Sequence, residues 1–360
     1  MLTSFYKTLI TVVLLTVSAS GYATARDDAK SGGETFRKIV FLINDFKNLP
    51  DYIKAGEWRV DSLRDWHAAP PPPIAVAPTG EVFLATEGQM RYYSNTGSLL
   101  GEWELPDAPF PSGYFGLGVT PYGAVFAADH SAGRVYGFTP QGRLISKWEA
   151  KVGPLAIGPN GDIYASTGKR IQRYDANGVL LGEWGSNGTL DRDFGLALYL
   201  TVGPDGAVYV LDFDSGRVQC FTAEGSYLRT WEPTGARLGE RQTPRGIAAG
   251  PDGDVFIFKN PGVKVGCRLE RFTAAGSFVG SFGLSENRGT VYGPGIAVAP
   301  DGTLYIADRE DGRIRYYKPS SIFHIVRYSV FGIAILVVVF FIALYTRFFF
   351  RKRKRQVTGK

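Results

Sequence analysis

Side chains that could do chemistry are few and scattered in this 360-residue sequence. Three histidines, His67, His130 and His324, make up the whole imidazole supply, too few to build a zinc site from a set of histidines. His130 follows Asp129, and such a pair could act as acid and base. An aspartate also stands at the matching point of two later segments, Asp212 and Asp308, however, and an acid repeated in that way fits turn stabilisation better. Cys220 and Cys267 are the two thiols; they could be bridged if their Cα atoms lie within roughly 7 Å, or stay free. Asn187-Gly188-Thr189 is a glycosylation sequon, meaningful in a eukaryotic source. No glycine-rich phosphate loop is present, and the Gly-containing turns serve hairpins.

The elements that must position these groups come from a repeat. Pro78-Thr79-Gly80, Pro121-Tyr122-Gly123, Pro159-Asn160-Gly161, Pro204-Asp205-Gly206, Pro251-Asp252-Gly253 and Pro300-Asp301-Gly302 recur at spacings of 38 to 49 residues, a period that signals a solenoid or a propeller. Within the last copy, an alternating segment (295 to 299) turns at Pro300 to Gly302, then Leu304 to Ile306 and Arg313 to Tyr317 read as further strands. A fourth strand ends in an aromatic at Trp103, Trp148, Trp184, Trp231 and Phe282. The sixth copy lacks this strand, and Gly56-Glu57-Trp58-Arg59-Val60 supplies the missing pattern upstream, so 55–62 is expected to close the ring on the last blade. A glycine count of 45, 14% aromatics and only two methionines agree with a turn-rich β protein.

These segments resemble NHL repeats, with VYVLDFDSGRVQCF (208 to 221) and VFAADHSAGRVYGF (125 to 138) as good matches over residues 72 to 318. Copies three and five depart from the pattern, with Ser166-Thr167-Gly168 and Lys259-Asn260-Pro261 in place of the Asp-centred turn. The resemblance implies an all-β, six-bladed β-propeller over 55–319. It also implies an interaction platform, since NHL propellers often act as such.

Propeller enzymes place ligands where the loops entering each first strand converge on the channel mouth. The residues expected there are Pro72, Phe115, Gly153, Leu198, Arg245 and Pro294, of which only Arg245 is polar. A calcium-dependent, lactonase-like propeller needs a ring of oxygen ligands, and general acid-base catalysis needs a positioned proton carrier. This register supplies neither, so no catalytic residue, metal or cofactor is expected.

Both ends bear on the compartment. Residues 1–25 carry one charge, Lys7, an apolar stretch from Leu9 to Val17 and then Ala23-Thr24-Ala25, the form of a cleaved signal peptide, with an uncut signal anchor or a buried core segment as the alternatives. Within 26–54, Phe36, Ile39, Val40, Ile43 and Phe46 recur at helical spacing ahead of Pro50 and predict an N-terminal amphipathic helix. Tyr328 to Thr346 has no charge, long enough for a C-terminal transmembrane helix (328–347), and the basic tail 348–360 should stay cytoplasmic. The expected protein is therefore a single-pass plasma-membrane protein with its propeller extracytoplasmic, periplasmic or extracellular. The link from Lys318 to Arg327 is short and should hold the ring near the bilayer.

The formal charge of +6 does not point to nucleic acid. Nine positive charges and no acidic residue lie in 1–25 and 327–360, which leaves residues 26 to 326 at −3, no surface for a polyphosphate chain. The leading expectation is a noncatalytic binding or scaffolding module for a protein, peptide or glycan partner. Its contacts are expected among Glu87, His130, Asp214, Arg245, Arg309 and Glu310 in the upper loops. The alternative is a membrane-bound propeller enzyme, a lyase or hydrolase with a possible metal requirement, whose site lies elsewhere.

Overall fold

A computed structural model of the chain describes residues 52–60, 63, 72–86, 88–106, 115–233, 243–260, 268–283, 295–308 and 312–320. All fall within one compact unit, Asp51–Ser320; the second unit, Met1–Pro50 with Ser321–Lys360, lies outside them. The signal peptide, amphipathic helix, transmembrane helix and basic tail expected from the sequence therefore fall on residues that are not described. Among the described residues no helix is long and apolar enough to cross a membrane.

The described residues form six four-stranded antiparallel sheets and one short two-stranded parallel piece. Blade four is typical, with strands Ala197–Val202, Val208–Asp212, Val218–Phe221 and Tyr227–Trp231 in sequential order. Blades one, two, three and five begin at Ile74, Phe115, Leu155 and Thr243 and repeat this meander. The first strands touch their neighbours in turn, and that of blade six, Gly295–Val298, returns to that of blade one, Ile74–Val76. The chain is a six-bladed β-propeller.

Blade six is built from both ends of this unit. Its strands Gly295–Val298, Leu304–Asp308 and Arg313–Pro319 are completed by Tyr52–Arg59, which pairs antiparallel with Arg313–Pro319. The pairing begins at Tyr52↔Pro319, ahead of the stretch that the sequence pattern picked out, and a bulge at Ala55 shifts the register between Lys54 and Gly56. Glu57 then meets Lys54 at 2.8 Å and Arg315 at 3.4 Å, and Arg313 closes on the same carboxylate.

Burial explains the strand sequences. The second strand of a blade lies between neighbouring blades on both faces, so Val82–Thr86, Val125–Asp129, Val208–Asp212 and Leu304–Asp308 are buried at every position. Such strands read as continuous apolar runs rather than alternations. The fourth strands face solvent and alternate, as in Leu144–Glu149. Each seam between blades holds its own buried cluster; that between blades one and two joins Phe83, Ala85 and Met90 to Leu117, Val125 and Tyr136. A fully buried side chain of this kind contributes about 1.5–3 kcal/mol.

One contact recurs around the circumference. The fourth-strand tryptophan of one blade covers the hairpin glycine of the next: Trp103 over Gly142, Trp148 over Gly178, Trp184 over Gly225 and Trp231 over Gly276. Each of these glycines has φ between +84° and +87°, and its backbone leaves no room for a Cβ under the indole. Trp58, from the closing strand, lies over Gly97 of blade one in the same manner.

Throughout, the lower edge of a blade is the one with the Pro-x-Gly turns and the hairpins joining third to fourth strands. The upper edge has the turns joining second to third strands and the connections between blades.

Candidate ligand-binding site at the upper edge

The repeated aspartates organise the upper turns. Asp212 is fully buried and accepts from Leu196 N at 2.8 Å, Gly195 N at 3.2 Å, Asp214 N at 3.2 Å and Ser215 Oγ at 2.7 Å. It joins the turn after the second strand to the segment entering the first. Asp129 accepts from Ala132 N at 2.9 Å, and Asp308 from Arg315 Nη1 at 3.0 Å. Their carboxylates are engaged in holding turns and strands.

The two departing copies replace this device. In blade three, Ser166 Oγ donates to Ala197 O at 2.6 Å and accepts from Gly168 N at 2.9 Å. In blade five, Lys259 is buried and pairs with Glu270 at 3.1 Å. Burial pushes the Lys259 ammonium down while Glu270 holds it up. Lys259 and Glu270 occupy the repeat positions of Asp308 and Arg315 with the charges exchanged, so copy five keeps a buried ion pair rather than losing one.

Two of the expected channel-mouth positions are bulges. The pairing of Ala197–Val202 with Val208–Asp212 skips Leu198, and that of Thr243–Ala249 with Val255–Asn260 skips Arg245. A bulge re-aims the side chain of its unpaired residue. The Arg245 guanidinium stands over the Phe213 ring at 5.1 Å, within cation–π range. Its Nε is buried and has no hydrogen-bond partner among the described residues. Asp214, next to Phe213, is exposed and packs over Gly195.

The structure thus brings Asp214 and Arg245 to one corner, where blades four and five meet, and adds Phe213, which the sequence reading passed over. The available signal was an aromatic directly after the repeat aspartate. His130 is half-buried in the upper turn of blade two, away from that corner. Glu87, Arg309 and Glu310, like Pro294, lie outside the described residues. First strands approach one another closely: a side chain at Gly116 would run into the backbone of Gly153 and Leu155, and one at Gly295 into Pro72.

A second upper feature is the loop between blades three and four, where Ser186–Asn187 pairs parallel with Asp193–Phe194. Buried Gln219 accepts from Arg192 N at 2.8 Å and donates to Asp193 O at 2.7 Å, and Arg217 donates to Thr189 O at 2.7 Å. Arg192 has φ 75°, an uncommon conformation for a non-glycine residue. The sequon asparagine, Asn187, is exposed on this loop.

Cys220 is a free, fully buried thiol, and burial pushes its pKa up to about 11. At pH 8 about one in a thousand would be thiolate, the nucleophilic form. Iodoacetamide should leave Cys220 unmodified in the native protein and modify it in denaturant, as read by peptide mass spectrometry. Modification of the native protein at a rate near that of a free thiol would contradict this burial.

No family model matches the chain, nor does any curated protein sequence. Solved structures show the architecture. Virginiamycin B lyase from Staphylococcus aureus superposes with a TM-score of 0.52 at 16% identity, over 73% of this chain and 98% of the lyase. A streptogramin B lyase gives 0.51 at 16% identity, over 73% and 96%. Kuenenia stuttgartiensis hydrazine synthase gives 0.53 at 16% identity, over 77% of this chain and 82% of that one. At such identity the likeness is one of fold.

Proposed function

We propose that the protein is a membrane-anchored, extracytoplasmic binding module that holds a protein, peptide or glycan partner at its upper edge, with Arg245 as the anchoring contact. The observation that carries this reading is the bulged, half-buried Arg245, which stacks on Phe213 and keeps a buried Nε without a partner. A buried donor left unpaired loses free energy that an incoming acceptor restores. Guanidinium chemistry selects a carboxylate or a similar planar anion. Glu87, His130, Asp214, Arg309 and Glu310 belong to the same proposal as further contacts. The apolar run Tyr328 to Thr346, the basic run after it and the signal-like N-terminus support the tether and its orientation.

Proximity labelling from the propeller in living cells tests the reading. A recurring extracytoplasmic neighbour should be recovered, and Arg245→Ala should weaken its capture by about 10-fold or more, the worth of a charge-assisted hydrogen bond. Lys151→Ala, at an exposed position in the connection between blades two and three, should leave capture unchanged. Recovery of cytoplasmic proteins alone would sink the topology; full capture by Arg245→Ala would sink the anchoring role.

The propeller fold is shared with lyases, and a membrane-bound propeller enzyme of lyase or hydrolase type is the second reading. It predicts a divalent metal in the purified protein and a substrate turned over in its presence. Partner capture that persists after chelation would count for the binding module.

A further inference from the structure

We propose that the lower edge of the propeller lies on the lipid bilayer, so that the channel mouth and Arg245 face away from the membrane; this rests on the tether proposed above. Three observations point the same way. The last strand, Arg313–Pro319, runs towards the lower edge, and Pro319 there packs against the Gly302 turn. Tyr52 pairs with Pro319, so the chain enters the propeller where it leaves it.

The second observation is reach. Seven residues separate Ser320 from Tyr328, where the apolar run begins, and extended chain covers at most about 3.6 Å per residue. The connection therefore spans less than about 30 Å even when fully stretched. A link of that length keeps the lower edge near the membrane surface and leaves little chain to run past a blade and turn the opposite edge inwards.

The third is the distribution of exposed apolar side chains. Tyr122, at the tip of a Pro-x-Gly turn, is 85% exposed. Leu99, Leu144, Leu180, Leu228 and Phe278, at the lower ends of five fourth strands, are 45–53% exposed, and Ile53 matches them on the closing strand at 48%. Tyrosine favours the membrane interface, and apolar side chains bind there in proportion to the area they bury. Exposed Lys54 and Lys318 flank the exit, while Asp205, Asp252 and Asp301 occupy the lower turns. The mixed charge fits a zwitterionic surface better than a strongly anionic one.

The experiment uses the full chain in phosphatidylcholine vesicles containing a headgroup-nitroxide lipid. Cys267→Ser serves as background, since Cys220 is buried. A fluorophore is placed at Tyr122→Cys on the lower edge or at Ser131→Cys on the upper. Quenching at position 122 should exceed that at 131 several-fold. Equal or inverted quenching in protein that resists alkaline extraction would overturn this inference and leave the tether standing. Release of the protein by alkaline carbonate would overturn the tether and this inference with it.

Discussion

Trp58→Ala should lower the thermal midpoint by about 10 °C, from a loss of about 3–5 kcal/mol at about 2–4 °C per kcal/mol. The indole lies 6.0 Å from Tyr93 in blade one, and 6.1 and 5.9 Å from Tyr305 and Tyr316 in blade six, besides covering Gly97. Trp103→Ala removes the same kind of packing at an internal seam, where Trp103 meets Phe138 at 5.8 Å. The two variants should differ in how they fail. Losing Trp58 loosens a strand that no hairpin joins to the strand it pairs with, so limited proteolysis should cut ahead of Val60 below the unfolding temperature, whereas Trp103→Ala should keep that strand protected. If both variants are cut alike, the closing strand is no weaker than an internal one.

Asp212→Ala should be the costliest change at the upper edge and should also damage binding there. It strips the acceptor from three backbone N–H groups and from Ser215 Oγ in a fully buried place. Each buried donor left unpaired costs about 1–3 kcal/mol, so a total of about 3–5 kcal/mol follows after relaxation. The Phe213 platform under Arg245 hangs on this turn, so partner capture should fall with stability. Asp212→Thr should recover part of the loss, because Thr167 fills the matching position of blade three, where its Oγ1 accepts from Arg170 N at 3.1 Å. Chemical denaturation of the three proteins measures the order; equal midpoints for wild type and Asp212→Ala would remove the turn-organising role.

Much of the ring was legible before any coordinates. Six Pro-x-Gly turns, each glycine at positive φ from +80° to +99°, are punctuation that few other residues can supply. The aromatic end of the missing fourth strand was visible at Trp58 because its neighbours, Gly56 and Glu57, match those of Trp103 and Trp184. The structural duty of the repeat aspartates followed from their recurrence. Less legible was anything that depends on partners distant in sequence. Lys259 looked like a lost aspartate because Glu270, its partner across the blade, must be seen at the same time. Arg245 was picked out as the polar channel-mouth residue, but its stacking on Phe213 depends on a bulge, which a one-residue register shift creates and no local composition announces. The parallel pair at Ser186–Asn187 escaped for a similar reason, being held by Gln219 from another strand.

The closing strand also governs how the protein can be made. Glu57 and Arg313, which meet across the seam, lie 256 residues apart in the chain, so the first strand to be synthesised waits for the last. Closing so long a loop brings its reward late. Until residues 313–319 arrive, Tyr52–Arg59 has no partner and blade six presents an open edge of the kind that invites aggregation. A message cut short at any point before those codons would therefore yield an unsealed chain for quality control to remove, rather than a smaller working propeller.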